Sequence, residues 1–160
     1  MNTNVDMIAL LKQQRFLDNL PQEYYALIAD CSELKDFKEG AVLIKQNHHA
    51  DVFFLILEGR VGLSAHLPAQ GAMPIETLRA PATLGWSWLI APYKWRFEAK
   101  ALTDVSTVLV HTPCIIGKIE LDKVFGYEMY KRFIEVVVDR LQGTRLQMMD
   151  VYAKPEPPPL

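Results

Sequence analysis

Between about residues 35 and 120 the apolar residues come in short runs that alternate with polar ones, and glycine or proline closes most runs. A period of two, repeated at such close spacing, leaves few ways to bury the chain. The runs must pair as antiparallel strands and close on one another as a jelly roll or small barrel. Val52-Phe-Phe-Leu-Ile-Leu-Glu58 is the most apolar run, and Gly59 turns it into Arg60-Val-Gly-Leu-Ser-Ala65. Upstream, Phe37-Lys-Glu-Gly40 reads as a strand end and turn, followed by a strand carrying Val42 and Ile44. Downstream, a loop over residues 68–74 leads to a strand at 75–79 that Pro81 stops. Residues 95–100 place Trp95, Phe97 and Ala99 on one face and Arg96, Glu98 and Lys100 on the other. A strand over residues 105–111 follows, and residues 114–120 read as the last strand.

On either side of this region the period becomes that of a helix. Met7, Leu10 and Leu11 recur at helical spacing, Asn19-Leu20-Pro21 marks a break, and residues 22–29 form a second helix bearing Tyr25, Leu27 and Ile28. After a short turn at 121–125, residues 127–152 make the longest regular element. Its seam of Tyr130, Ile134, Val137, Leu141, Thr144, Met148 and Val151 alternates steps of four and three, the spacing of a helix pair. The stripe either packs on its own roll or, in the distal half that projects beyond it, pairs with a second copy; a homodimer is the expected assembly. The fold class is therefore mainly β with flanking helices: a double-stranded β-helix (jelly roll) with N-terminal helices and a long C-terminal helix. One domain is expected over residues 1–153, with the roll at about 35–120, the closing helix at about 127–152, and a Pro-rich tail at 154–160.

A net charge of −2 supplies no general attraction to DNA or to an acidic membrane. No apolar run reaches the ~18–20 residues of a membrane span, and the N-terminus lacks the features of a secretory signal. Cys31 and Cys114 lie far apart in sequence and in different kinds of segment, so two free thiols in a reducing cytoplasm are expected, with Cys114 buried in a strand. His48 and His49 are adjacent and would point apart on a strand, and neither His66 nor His111 has a second ligand at metal-binding spacing. No Ser-His-Asp order, Walker loop or carboxylate pair stands out. No catalytic residue and no metal site is expected, and the chain does not read as an enzyme.

Three tryptophans crowd the stretch Leu84-Gly-Trp-Ser-Trp-Leu-Ile-Ala-Pro-Tyr-Lys-Trp-Arg-Phe-Glu98. It reads as a short helical turn opened by Gly85, a loop broken by Pro92, and then a strand. Free backbone N–H groups at the start of such a turn suit an anion, and the rings imply a walled pocket or a packed corner. This stretch resembles the phosphate-binding cassette of cyclic-nucleotide-binding domains of the catabolite activator (Crp/Fnr) type. Phe37-Lys-Glu-Gly-Ala-Val-Leu-Ile44 is similar to that family's opening strand, Asp51-Val-Phe-Phe-Leu-Ile-Leu-Glu-Gly-Arg-Val61 to its central hairpin, and Ala101-Leu-Thr-Asp-Val105 to the segment after its cassette. The resemblance spans roughly residues 16–152 and implies the jelly roll, a regulatory sensor or adaptor role, and cAMP, cGMP or another small ligand.

At the ligand site the chain departs from the family pattern. Trp86 stands where the family has the Glu that accepts from the ribose 2′-hydroxyl. Counting back from Ala101-Leu-Thr-Asp104 puts Trp95 at the family's phosphate-binding Arg and Arg96 at its Ser/Thr partner; counting forward from Gly85 puts Arg96 at the Arg. Because Trp95, Phe97 and Ala99 must cover the core, Trp95 is expected inward and Arg96 outward, unless a bulge restores the register. The candidate ligand site comprises Gly85, Trp86, Ser87, Trp88, Trp95, Arg96 and Phe97, walled by Leu55 and Val61. The family's full-length members often carry a C-terminal helix-turn-helix. The Pro-rich end here leaves no room for a recognition helix, so direct DNA binding is not expected and an unidentified protein partner stays open. A cupin-type metalloenzyme, the alternative on a similar roll, would need a Glu where Val52 precedes Gly59. A vestigial pocket on a module that only dimerises or docks is the other alternative.

Overall fold

The computed structural model describes residues 3–153. Eight strands form two four-stranded antiparallel sheets: β1 (Ser32–Phe37), β2 (Val42–Ile44), β3 (Val52–Glu58), β4 (Arg60–Leu67), β5 (Gly71–Arg79), β6 (Ala82–Leu84), β7 (Glu98–Ala101) and β8 (Val105–His111). The first sheet runs β1-β8-β3-β6 and the second β2-β7-β4-β5, so sequence neighbours mostly sit in opposite sheets, as a jelly roll requires. β3 is central to the first sheet, which explains its unbroken apolar run: Phe53, Phe54, Leu55 and Ile56 are all buried. Gly59 takes φ +91°, and a Cβ there would lie 2.3 Å from the Asp104 carbonyl oxygen, so the β3–β4 bend admits no larger residue.

Four helices flank the roll: α1 (Thr3–Lys12), α2 (Gln22–Asp30), α3 (Thr112–Leu121) and α4 (Lys123–Tyr152). Asp122 begins α4 by accepting from the backbone N–H of Val124 and Phe125, both at 3.0 Å. The first half of α4 seats Phe125, Met129 and Phe133 in the core, where Phe133 meets Phe16, Phe53 and Trp88 edge-on. Beyond residue 140 every described residue of α4 is exposed. The seam residues Tyr130, Ile134, Val137, Leu141, Thr144, Met148 and Val151 are also exposed, displaced around the helix from the roll-facing stripe of Met129, Phe133, Val136 and Arg140.

Four expectations are corrected. The loop expected over residues 68–74 stops at residue 70, and β5 starts at Gly71, where the hairpin pairing with β4 continues to its tip. Residues 114–120 are helical, not a strand. Pro113 favours the first turn of a helix, and the apolar run Cys114-Ile-Ile-Gly-Lys-Ile119 buries Ile115 on one helical face. The cysteines are not free thiols: Cys31, which ends α2, and Cys114, in the first turn of α3, form a disulfide with Cα atoms 5.6 Å apart. The β1–β8 pairing brings them together, since the N–H of His111 donates to the carbonyl of Cys31 at 2.9 Å and one helical turn returns Cys114 over it. The alternation expected from residue 95 starts only at Glu98. Residues 96–97 form a bend, which leaves Phe97 37% exposed instead of inside with Trp95 and Ala99. No described helix is long and apolar enough to cross a membrane. The tail expected at residues 154–160 lies outside the described residues.

Candidate functional site

The site stands where the edge of the first sheet meets α4. β6 ends at Leu84, Gly85 turns the chain at φ +100°, and a 3₁₀ turn follows at Ser87–Leu89. The Trp95 ring packs against Gly85 so closely that a Cβ there would sit 2.8 Å from it, so the glycine makes room for the indole. Trp95 is held by its backbone: its N–H donates to the carbonyl of His48 at 2.9 Å, and its carbonyl accepts from Asn47 at 2.8 Å. It is 6% exposed, whereas Arg96 is exposed. The register slip at β7 therefore resolves with the ring inward. The only irregularity in the β2–β7 pairing lies between Val42 and Ile44 on β2, so no bulge on β7 turns Arg96 in.

Together these groups leave a cavity of about 40 Å³, partly open to solvent, lined by Ile44, Leu63, Leu84, Ala99, Gly85, Trp86, Ser87, Trp95, Arg96, Phe97 and Arg140. That space holds a water or two, against the ~300 Å³ or more typical of an organic-ligand pocket. Six of the residues expected from the sequence thus line one cavity. The other three do not reach it. Trp88 is 2% exposed and stacks on Phe53 with centroids 5.9 Å apart, and its indole N–H has no hydrogen-bond partner among the described residues. Leu55 and Val61 are wholly buried in the roll.

Arg140, on the long helix, lines the cavity, and no role for it was expected from the sequence. Its guanidinium carbon lies 4.7 Å from the centroid of the Trp86 ring, and Nη2 donates to the carbonyl of Thr83 on the edge strand β6. Burial lowers its pKa, partly opposed by the Glu76 carboxylate. The signal for it was present: Met129, Phe133, Val136 and Arg140 follow one another at steps of four, three and four, which puts Arg140 on the face that meets the roll. Among the described residues no three of His, Cys, Asp or Glu gather as metal ligands would.

The sequence model of the cyclic nucleotide-binding domain matches residues 34–119, more than half of the chain. The chain belongs to the cyclic nucleotide-binding domain family. A candidate cyclic nucleotide-binding protein of Geobacter metallireducens GS-15 shares 29% identity over 83% of this chain and 96% of its own, with a TM-score of 0.76. A cyclic nucleotide-binding domain from Methylobacillus flagellatus KT superposes with a TM-score of 0.77 at 13% identity, covering 96% of this chain and 85% of that one. The regulatory domain of Toxoplasma gondii protein kinase A, crystallised with cAMP, has a TM-score of 0.66 at 19% identity over 81% of this chain and 49% of its own. Among curated protein sequences nothing matches the chain significantly. Within this cyclic nucleotide-binding domain the cassette carries an indole, a bend and a helix-borne guanidinium around a nearly filled cavity.

Proposed function

We propose that the chain is a non-catalytic regulatory sensor or adaptor of the catabolite activator type, with the cassette as its input and α4 as its output. The observation that carries this reading is the Arg140 bridge, in which one side chain of α4 rests on Trp86 and is hydrogen-bonded to Thr83 at the start of the cassette. A ligand that moves the cassette must act on that contact and so on the helix. The ligand is cAMP, cGMP or another small flat molecule bound weakly, because the cavity takes a base or sugar only after the Trp95 ring swings aside. The family's ribose-binding Glu is replaced by Trp86, which removes one strong polar contact.

The output is a homodimer along the exposed seam. A helix of 30 residues is about 45 Å long and outruns a small roll. Leu141, Met148 and Val151 are 48%, 53% and 69% exposed there, at heptad spacing, and a second copy of the same helix covers them by symmetry. Binding to DNA or to a membrane has no part in this reading. Against a reducing pool the closed fraction of the Cys31–Cys114 bridge is measurable by thiol trapping. A second reading is favoured by the cavity of about 40 Å³: the pocket is vestigial, and the module works only by dimerising or docking.

Sedimentation velocity separates the two. The sensor reading predicts a dimer that Leu141→Glu dissociates and whose fraction millimolar cAMP or cGMP shifts; the vestigial-pocket reading predicts no response to nucleotide. A monomer at all concentrations would remove the output; a dimer indifferent to nucleotide leaves the docking module.

A further inference from the structure

α4 brings two guanidinium groups against the body of the domain, and their surroundings differ. Arg132 forms an ion pair with Glu128 and donates to the carbonyl of Asp18 at 2.7 Å. Arg140, two helical turns further on, makes no ion pair among the described residues. Of its five N–H donors, one has a protein acceptor there. Glu76 on β5 is the carboxylate that acts on it, too far away to pair. A half-buried charge with spare donors and no ion-paired partner is costly, and an arriving anion relieves that cost.

The cavity below Arg140 has a matching character. Its two charged lining groups, Arg140 and Arg96, are both cationic, and no carboxylate lines it. The cavity is partly open to solvent.

We propose that Arg140 makes this cavity an anion site, its guanidinium taking two oxygens of a phosphate or carboxylate beside Trp86 and Ser87. The site's location rests on the cassette reading above; its ligand chemistry does not, since a free anion and the phosphate of a nucleotide present the same oxygens. Because the spare donors lie on the group that holds Thr83, occupancy also alters the tie between α4 and β6.

The test uses the full chain and inorganic phosphate as probe. Thermal unfolding is followed in phosphate and in chloride at equal ionic strength and pH, for the wild type, Arg140→Gln, Arg140→Lys and the exposed α4 control Arg145→Gln. General salting-out by phosphate acts on all four proteins, so the difference between variants is the signal. The expected result is a saturable rise in Tm in the wild type and Arg145→Gln, a smaller one in Arg140→Lys and none in Arg140→Gln. Apparent phosphate affinity falls about tenfold or more when the bidentate group is lost. If Arg140→Gln fails to fold, the Nε–H resonance of Arg140 in the wild type is followed during the titration and must shift. No saturable rise in the wild type, a rise that Arg140→Gln retains, or an unmoved resonance overturns the proposal. Arms with cAMP and cGMP separate the sources. Nucleotide binding lost in Arg140→Gln assigns the site to a nucleotide phosphate. A response to phosphate alone keeps the anion site and sinks the nucleotide reading. Nucleotide binding unchanged in Arg140→Gln sinks the proposal and keeps the nucleotide reading.

Discussion

Trp95 decides what the cassette can hold. Its indole fills the interior against Gly85, and the backbone of the Asn47–His48 turn fixes it in place. Removing the ring should cost about 3–5 kcal/mol, the range for Trp-to-Ala in a core, and should leave an indole-shaped hole joined to the existing cavity. Trp95→Ala is therefore expected to melt well below the wild type and to regain part of that loss in millimolar indole, which leaves the wild type unmoved. A Trp95→Ala protein as stable as the wild type, or one indifferent to indole, would show that the ring is not a plug. At this scale the sequence was informative where a side chain's direction follows from packing. Trp95 goes inward because the core must be covered. It misplaced Phe97, which strict alternation puts inward beside Trp95, because the bend at residues 96–97 interrupts the alternation, and turns are set by tertiary contacts that spacing does not record.

Among the elements, β3, β4, β8 and the long helix were legible because each repeats its period, whereas β6, the first half of β5 and α3 were not. Ten residues with three isoleucines satisfy either period, and Pro113 at the helix start was the one local cue to the right choice. The disulfide followed from that error. With residues 114–120 read as a strand, nothing returned Cys114 to Cys31. As a helix after the β1–β8 pairing, its first turn does so. The bridge ties the end of α2 to the start of α3 and closes a loop across a sequence separation of 83. Cross-linking a loop of that size restricts the unfolded chain by about 2–4 kcal/mol. Cys31→Ser, or reduction by dithiothreitol, should lower Tm by the equivalent amount, and the double Cys31→Ser/Cys114→Ser variant should then be insensitive to reductant. Equal melting of oxidised and reduced wild type would contradict this tie.

At the scale of the whole molecule, the site is assembled from parts remote in sequence: a cassette at residues 84–97, a strand edge at Thr83 and a helix residue at 140. The sequence displayed the first part clearly. It hid the last, because an arginine in a mixed row of charges is unremarkable until the helix is rotated against the roll. The same rotation sorts α4 into a roll-facing stripe and a bare seam, so the Arg140 contact to the cassette and the seam lie on one helix. The account stands or falls on whether a ligand enters through Arg140. Calorimetric titration of cAMP and cGMP into the full chain, run beside Arg140→Gln, tests this most directly. The account predicts weak, saturable one-to-one binding of at least one nucleotide to the wild type and its loss in Arg140→Gln. No binding at millimolar nucleotide, or binding that survives the loss of Arg140, would contradict it.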